Sequence, residues 1–193
     1  MLKVQKVGQW SNPKAYAVDL RTIYPLSLLG SEQTEMPSTL FAYGQFWSTT
    51  QQAMANASTP RALTYDDSGP VKNTSYNGSE ITVAIGGDYM ITFSIQFIRL
   101  SGGGETAADA WIRINGNDVP ESATRVITPQ SSSNTEAFMT VGLMATLQSG
   151  SKLEVVFASP DYQNTVAEYI AASSSPYIRP AIPSIITTLM KVG

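Results

Sequence analysis

The stretch from Ser79 to Leu100 most limits the folds open to this chain, because its apolar residues recur at every second position. Two such rows flank a pair of glycines: Ile81, Val83 and Ile85 precede it, and Tyr89, Ile91, Phe93, Ile95 and Phe97 follow it. A period of two predicts strands with one face in a core. Two strands joined at Gly86-Gly87 predict a β-hairpin, and the second is long and aromatic enough to be a central strand.

Further segments with strand character follow along the chain, separated by turn sequences. These predicted strands are Leu40–Thr49, Arg61–Tyr65, Ala110–Ile114, Arg125–Thr128, Phe138–Leu147, Leu153–Phe157, Glu168–Ala172 and Ser184–Val192. Clusters such as Asp66–Pro70 and Asn115–Asp118 contain residues that favour turns. We find no convincing amphipathic helix and no internal repeat. Short strands with turns between them predict an all-β chain folded as an antiparallel β-sandwich.

Residues 1–37 differ from the rest of the chain, because prolines interrupt them and their apolar residues are not periodic. Two interpretations stay open: an extended arm that orders against a partner, or a strand and loops wrapped on the domain itself. We divide the chain into an N-terminal arm, residues 1–37, and a sandwich domain, residues 38–193. The candidate partner-binding residues of the arm are basic or aromatic: Lys3, Lys6, Trp10, Lys14, Tyr16, Arg21 and Tyr24.

Composition argues against catalysis. The 193 residues include no histidine and no cysteine, which excludes disulfides, thiolate metal sites, imidazole bases and Ser-His-Asp triads. Charged residues make up only 14% of the chain, and polar uncharged residues are frequent, which indicates a surface made for contact. A net charge of −3 disfavours nucleic acid as the main partner.

The sequence also gives no reason to expect a membrane or a cofactor. No run approaches 18 apolar residues, the length a membrane-spanning helix needs. The first ten residues, MLKVQKVGQW, lack the continuous apolar region of a signal peptide. We therefore expect no membrane span, no secretory signal and no bound cofactor.

The order of the strand motifs resembles a known family. The motifs are the aromatic strand Leu40–Gln52, the run I-x-V-x-x-x-G-x-Y-x-I-x-F-S-I from Ile81 to Ile95, WIRINGNDVP at Trp111–Pro120, LQSGSKLEV at Leu147–Val155 and PSIITTL at Pro183–Leu189. Their order and spacing over residues 40–193 are similar to the tumour-necrosis-factor/C1q-like jelly rolls, particularly those in virion proteins of tailed bacteriophages.

The resemblance implies two sheets in a Greek-key jelly roll, three copies around a threefold axis, and binding rather than catalysis. The arm has no counterpart in the globular family. In virion proteins such an arm would often attach the trimer to its shell or tail, and the resemblance implies the same here.

The predicted trimer interface lies on the central strand. Met90 and Ile98 fall on its otherwise polar side, so we expect them to be exposed in a monomer and buried in a trimer. Tyr89, Phe93 and Phe97 are on the apolar side, where such residues mostly form a core, although some could line a threefold axis.

Two groups of polar residues suggest chemistry but have ordinary structural explanations. Asp66 and Asp67, with Asn73, could bind calcium, but aspartate and asparagine are also turn formers, which we favour. A glycosidase needs two carboxylates that flank a cleft, and the sequence does not pair its candidates, which are Glu80, Asp88 and Glu154.

Our first functional interpretation is a structural virion protein: a homotrimeric capsid decoration or cement protein that binds the major capsid protein or another virion protein. It would be assembled in the host cytoplasm. The alternative is a receptor- or glycan-binding head of a phage tail or fibre, for which Tyr162 and Tyr177 are the candidate loop aromatics. An enzyme of sugar metabolism ranks last.

Overall fold

The computed structural model describes residues 41–57, 59–101, 104–128 and 135–193, and no helix occurs within them. The described residues form fourteen strands: β1 Tyr43–Ser48, β2 Gln52–Ala53, β3 Arg61–Ala62, β4 Asp67–Lys72, β5 Thr74–Asn77, β6 Glu80–Val83, β7 Gly87–Arg99, β8 Thr106–Ile114, β9 Asn117–Asp118, β10 Thr124–Thr128, β11 Thr135–Leu147, β12 Lys152–Ala158, β13 Thr165–Ala167 and β14 Ile185–Lys191. The all-β prediction is confirmed.

The strands pair antiparallel throughout and form two sheets. Sheet I has the order β2-β13-β7-β14-β1-β4, and β11 pairs with the opposite side of β7. Sheet II has the order β10-β8-β12-β6-β5, with β9 beside β8 and β3 beside β12. The predicted antiparallel sandwich of two sheets is therefore confirmed.

Strand β7 is central, as its length and apolar pattern predicted. It pairs with β11 along all 13 of its residues. On its other side, β14 pairs with residues 89–95 and β13 with residues 97–99. Strand β7 therefore pairs directly with three of the six other strands of sheet I.

The predicted hairpin at Gly86-Gly87 is wrong, because β6 belongs to sheet II and β7 to sheet I. Ile81 on β6 and Ile91 on β7 are both fully buried, so the two apolar rows face one core from opposite sides. Facing each other buries both rows, whereas side-by-side pairing would leave that face uncovered. At the crossing point, Gly87 has φ +151° and its Cβ position is occupied by the Gly193 carbonyl oxygen and the Lys191 side chain.

Two further segments differ from the prediction. The segment Asp66–Pro70, predicted as a turn, extends into β4, an edge strand whose register with β1 shifts at Pro70. Edge strands and register shifts are where a sheet tolerates proline. The strand predicted at Glu168–Ala172 is replaced by the shorter β13. Residues 168–184 instead form a narrow loop, held by reciprocal backbone bonds between Ile170 and Ile182 and between Ser173 and Arg179.

The core lies between the two sheets. Phe97 on β7 and Phe157 on β12 meet across it with ring centroids 5.6 Å apart, which ties sheet I to sheet II. Tyr65 is also buried, and its hydroxyl shares a hydrogen bond of 2.8 Å with Thr187. Burial raises the pKa of Tyr65, so its phenol stays neutral and its polar atom stays partnered.

The chain divides into two units between Ser38 and Thr39. The described residues all belong to the second unit. The predicted arm, residues 1–37, lies outside the described residues, and so do all seven of its candidate partner-binding residues.

Candidate interaction surface

Three methionines lie side by side on the outer face of sheet I, the face turned away from the core. Met90 on β7 is directly opposite Met144 on β11 and, on its other side, Met190 on β14. Tyr43 on β1 continues this methionine row beyond Met190. The exposed fractions are 62% for Met144, 52% for Met190 and 43% for Met90. At a strand spacing of about 4.8 Å, the row is roughly 15 Å wide.

Two rows of uncharged side chains lie beside the methionine row. Their members, from β11 to β1, are Gly142, Thr92, Thr188 and Gln45, then Thr140, Ser94, Ile186 and Trp47. The hydroxyls of Ser94 and Thr140 share a hydrogen bond of 3.0 Å. Charges stand at the margin, where Lys72 is opposite Tyr43 and Asp67 is opposite Trp47. We call these three rows the neutral face.

A shallow depression of about 250 Å³ lies at one side of the neutral face, between β1, β4 and β14. Its lining is uncharged and consists of Tyr43, Gly44, Gln45, Pro70, Thr188, Leu189 and Met190. The depression is smaller than the pockets that usually enclose small-molecule ligands. It suits a single protruding side chain of a partner better than an enclosed substrate.

The outer face of sheet II carries ion pairs instead. Each pair joins neighbouring strands, and the pairs in the described residues are Arg125–Asp109 at 2.7 Å, Arg113–Asp118 at 2.9 Å and Lys152–Glu80 at 2.7 Å. The Arg125 guanidinium donates to both oxygens of Asp109, at 2.7 and 2.8 Å, and this hydrogen bonding raises the pKa of Arg125. Such a face is compatible with water and needs no partner.

Among the carboxylates of this charged face, Asp118 is the one whose pKa is clearly lowered. Its Oδ1 accepts hydrogen bonds from the Trp111 indole at 2.8 Å and from Arg113 at 2.9 Å. These bonds, the Trp111 bond first, lower the pKa of Asp118. The carboxylate is therefore ionised at neutral pH and holds the Trp111 ring on the surface of β8.

The structure corrects most of the predicted trimer interface. Tyr89, Phe93 and Phe97 have no exposed surface within a single chain, so their side chains belong to its core and cannot contact a second copy. Ile98, expected to be exposed, is only 8% exposed and lies between Glu136 on β11 and Val166 on β13. Met90 alone of the five is exposed, as predicted.

The residues considered for calcium binding have ordinary structural partners. Asp66 accepts hydrogen bonds from the backbone N–H and the hydroxyl of Thr49, at 2.9 to 3.0 Å, which stabilises a turn. Asn73 donates to the Phe41 carbonyl at 2.7 Å. Residues 41–193, outside the gaps, contain no group of three or more acidic side chains placed to hold a metal ion.

Among the glycosidase candidates, Glu80 and Glu154 lie next to each other on the outer face of sheet II, because the register that pairs Leu153 with Ile81 continues to them, but each has its own partner. Glu80 pairs with Lys152, and Glu154 accepts a hydrogen bond from Ser79 at 2.7 Å, both on sheet II. Asp88 is on sheet I, where it accepts a hydrogen bond from the Thr146 hydroxyl.

The part of the chain that the structure describes has no helix of the length and apolar character required to cross a membrane.

The two loop tyrosines lie in different environments. Tyr162 is half-buried and packs against the core. Tyr177 is 65% exposed and stands beside the even more exposed Ile178 at the tip of the 168–184 loop. The base of the neighbouring 159–164 loop is fixed by an ion pair of 3.0 Å between Arg99 and Asp161. Only Tyr177 is therefore placed as a loop-tip ligand contact would require.

No protein-family model matches this sequence, and no curated protein matches it at a significant level. The resemblance to jelly-roll virion proteins therefore stays a prediction. The case for function rests on the chemistry of the two outer faces.

Sequence reasoning found Met90 but missed its neighbours. Met144 also falls on the more polar side of its strand, at a position that alternates with the apolar row of β11. That alternation was a usable signal for exposed apolar side chains. The two sides of β14 are equally apolar in sequence, so nothing there marked Met190 as exposed. Nothing in the sequence indicated that strand pairing would place the three methionines directly opposite one another in one sheet.

Proposed function

We propose that this chain is a structural protein of a phage virion: a homotrimeric capsid decoration or cement protein without enzymatic activity. The observation that carries the proposal is the neutral face, with its exposed methionine row. A contiguous apolar row on a charge-free surface is costly in water and favours burial against another protein surface. The resemblance adds the phage context and the jelly-roll topology.

The size of the neutral face suits the centre of a subunit interface. Three rows about 6.8 Å apart and four strands about 4.8 Å apart, each with half a spacing at its border, cover roughly 20 by 19 Å. The resulting flat area of about 390 Å², before the relief of the side chains is added, is about half of the roughly 800 Å² that each partner buries in a standard interface. Methionines also adapt their shape to an opposing surface.

Oligomerisation is tested by sedimentation equilibrium at micromolar concentrations. We expect a mass that is a multiple of three chains. Met90→Glu should lower the association constant by about 100-fold or more, because the new carboxylate would be desolvated without a partner. Ile127→Glu is the matched control, since Ile127 is 48% exposed on β10 of sheet II. A monomeric wild-type chain would disprove the trimer.

Attachment to the particle is assigned to the arm and its basic and aromatic residues. The proposed partner is the major capsid protein or another virion protein with an acidic surface. A chain lacking residues 1–37 should remain folded and assembled but should no longer bind particles that lack the native protein. Binding by the full chain should weaken as salt rises. Equal binding by the truncated chain would show that the arm is not the anchor.

The exposure of Tyr177 favours one second candidate, a receptor- or glycan-binding head of a tail or fibre. An exposed aromatic ring at a loop tip can stack on a sugar ring. A glycan array probed with the wild-type protein and with Tyr177→Ala tests this. Binding that the variant loses would replace the decoration role with the head role.

A further inference from the structure

The edges of the two sheets are not equally protected against pairing with another chain. Strand β4 contains Pro70, and its register with β1 is irregular. Strands β2 and β5 have only two and four residues, and β10 has five with Arg125 among them. Proline, irregular register, shortness and charge are the usual ways in which natural edge strands avoid association.

Strand β11 has none of the first three protections and only one charge, near its start, and β10 of sheet II lies close to it without pairing. It is 13 residues long, and among the described strands it pairs only with β7. That pairing runs without a register shift from Thr135 to Leu147, so the edge is regular. The strand contains no proline and no lysine, and Glu136 is its single charge. Phe138, which is 73% exposed, and Met144 leave apolar surface beside the open backbone.

The sequence of β11 is complementary to itself when reversed. In an antiparallel pair of two copies centred on Val141, Phe138 of each copy would lie opposite Met144 of the other. An aromatic ring and a thioether attract each other. Glu136 would lie opposite Thr146, so no like charges would meet across the pair.

The side of β11 that faces the core matches as well. Ala137 would lie opposite Ala145, and Met139 opposite Leu143, so small residues meet small ones and large residues meet large ones. The two cores would become continuous across the join. We propose that β11 is a self-association edge, which pairs antiparallel with β11 of a second copy of this chain around a twofold axis at Val141.

This inference goes beyond the proposed trimer and does not depend on it, because the two contacts use different symmetries. Edge pairing alone gives a dimer, and the trimer alone gives three chains. The two contacts together give six chains when their axes are perpendicular, and a larger even multiple of three in other closed arrangements. Mass measurement therefore separates the two proposals: an even number of chains supports edge pairing, whereas one or three chains overturn it.

Position-specific cross-linking tests which strand forms the contact. The chain has no cysteine, so each introduced thiol is the only one present. Val141→Cys should form a disulfide-linked dimer under mild oxidation, because position 141 faces its own copy and opposite Cβ atoms lie about 5 Å apart.

Phe138→Cys and Met144→Cys are the matched pair of variants, since both positions are exposed and outside the core. Each alone should give little dimer, because equivalent atoms would be about 20 Å apart, six residues along the pair. An equal mixture of the two should cross-link readily. Dimer formed equally by each single variant, or an oligomer in which neither Val141→Cys nor the mixture cross-links, would place the contact elsewhere and overturn the proposal.

Discussion

The outer faces of the two sheets differ in charge, although both sheets present the same kind of apolar side chains to the core. On the neutral face of sheet I, three methionines lie in register, and charges stand at the margin. On sheet II, three ion pairs join neighbouring strands. The inward rows share one core, so the difference between the sheets lies in their outer faces alone.

The outer face of sheet II suits a free folded chain, whereas the neutral face suits association with another protein. Ion pairs on an exposed face keep it soluble and contribute little to stability. A neutral face with exposed methionines contributes nothing to the solubility of a free chain, so its chemistry is explained better by a contact. The following changes test this contrast, beginning with the largest expected effect.

Replacing an inward residue of β7 should affect folding far more than replacing an outward one. Phe93→Ala should lower the free energy of unfolding by about 3–5 kcal/mol, because it leaves a cavity between the sheets. Met90→Ala, three residues earlier on the outer side, should change it by less than about 0.5 kcal/mol in dilute monomer. Urea unfolding at a fixed, low chain concentration measures both. Equal effects would show that the outer face also contributes to the fold of one chain.

Hydrogen peroxide should oxidise exposed methionines faster than buried ones. Each oxidised thioether takes one oxygen atom from hydrogen peroxide and releases water, which makes the side chain polar. In dilute protein Met90, Met144 and Met190 should oxidise several-fold faster than the buried Met54 and Met139.

The oxidised chain should then fail to assemble, while the assembled protein should resist oxidation at the same three residues. Peptide mass mapping and sedimentation measure the two effects. Assembly that survives full oxidation of the row would show that the methionines are not in the contact.

The smallest effect is expected on the charged face. The pKa of Asp118 is lowered in the folded chain, so its contribution to stability is present above about pH 3.9, the ordinary aspartate value, and is lost as pH falls through its folded pKa. Asp118→Asn should therefore cost less than about 1 kcal/mol at pH 7, because the site is exposed.

The difference between Asp118→Asn and the wild type should disappear in acid. Urea unfolding between pH 2 and pH 7 checks this, and the difference in tryptophan emission between the variant and the wild type is a second measure, because the substitution changes only the partner of Trp111 among the three tryptophans. A difference that stays constant with pH would mean that the Asp118 charge is not the cause.

The sequence by itself determined the class of fold and much of the core. The alternation in β7, β11 and β12 identified the side of each strand that faces the core, because a side-chain period of two assigns residues to faces. The absence of histidine and cysteine excluded whole classes of chemistry, since no other side chains supply an imidazole or a thiolate. The exposure of Met90 also followed from the alternation in β7.

Only the tertiary structure decided which strands are neighbours and at what level they align. The Gly-Gly turn was compatible with a hairpin, but burying both apolar rows in one core placed β6 and β7 in different sheets. Ile98 had the polar-side position of Met90, yet its neighbours left it little exposed surface. Met90, Met144 and Met190 are 46 to 100 residues apart in the chain. Their alignment depends on long-range pairing around β7, which local periodicity does not encode.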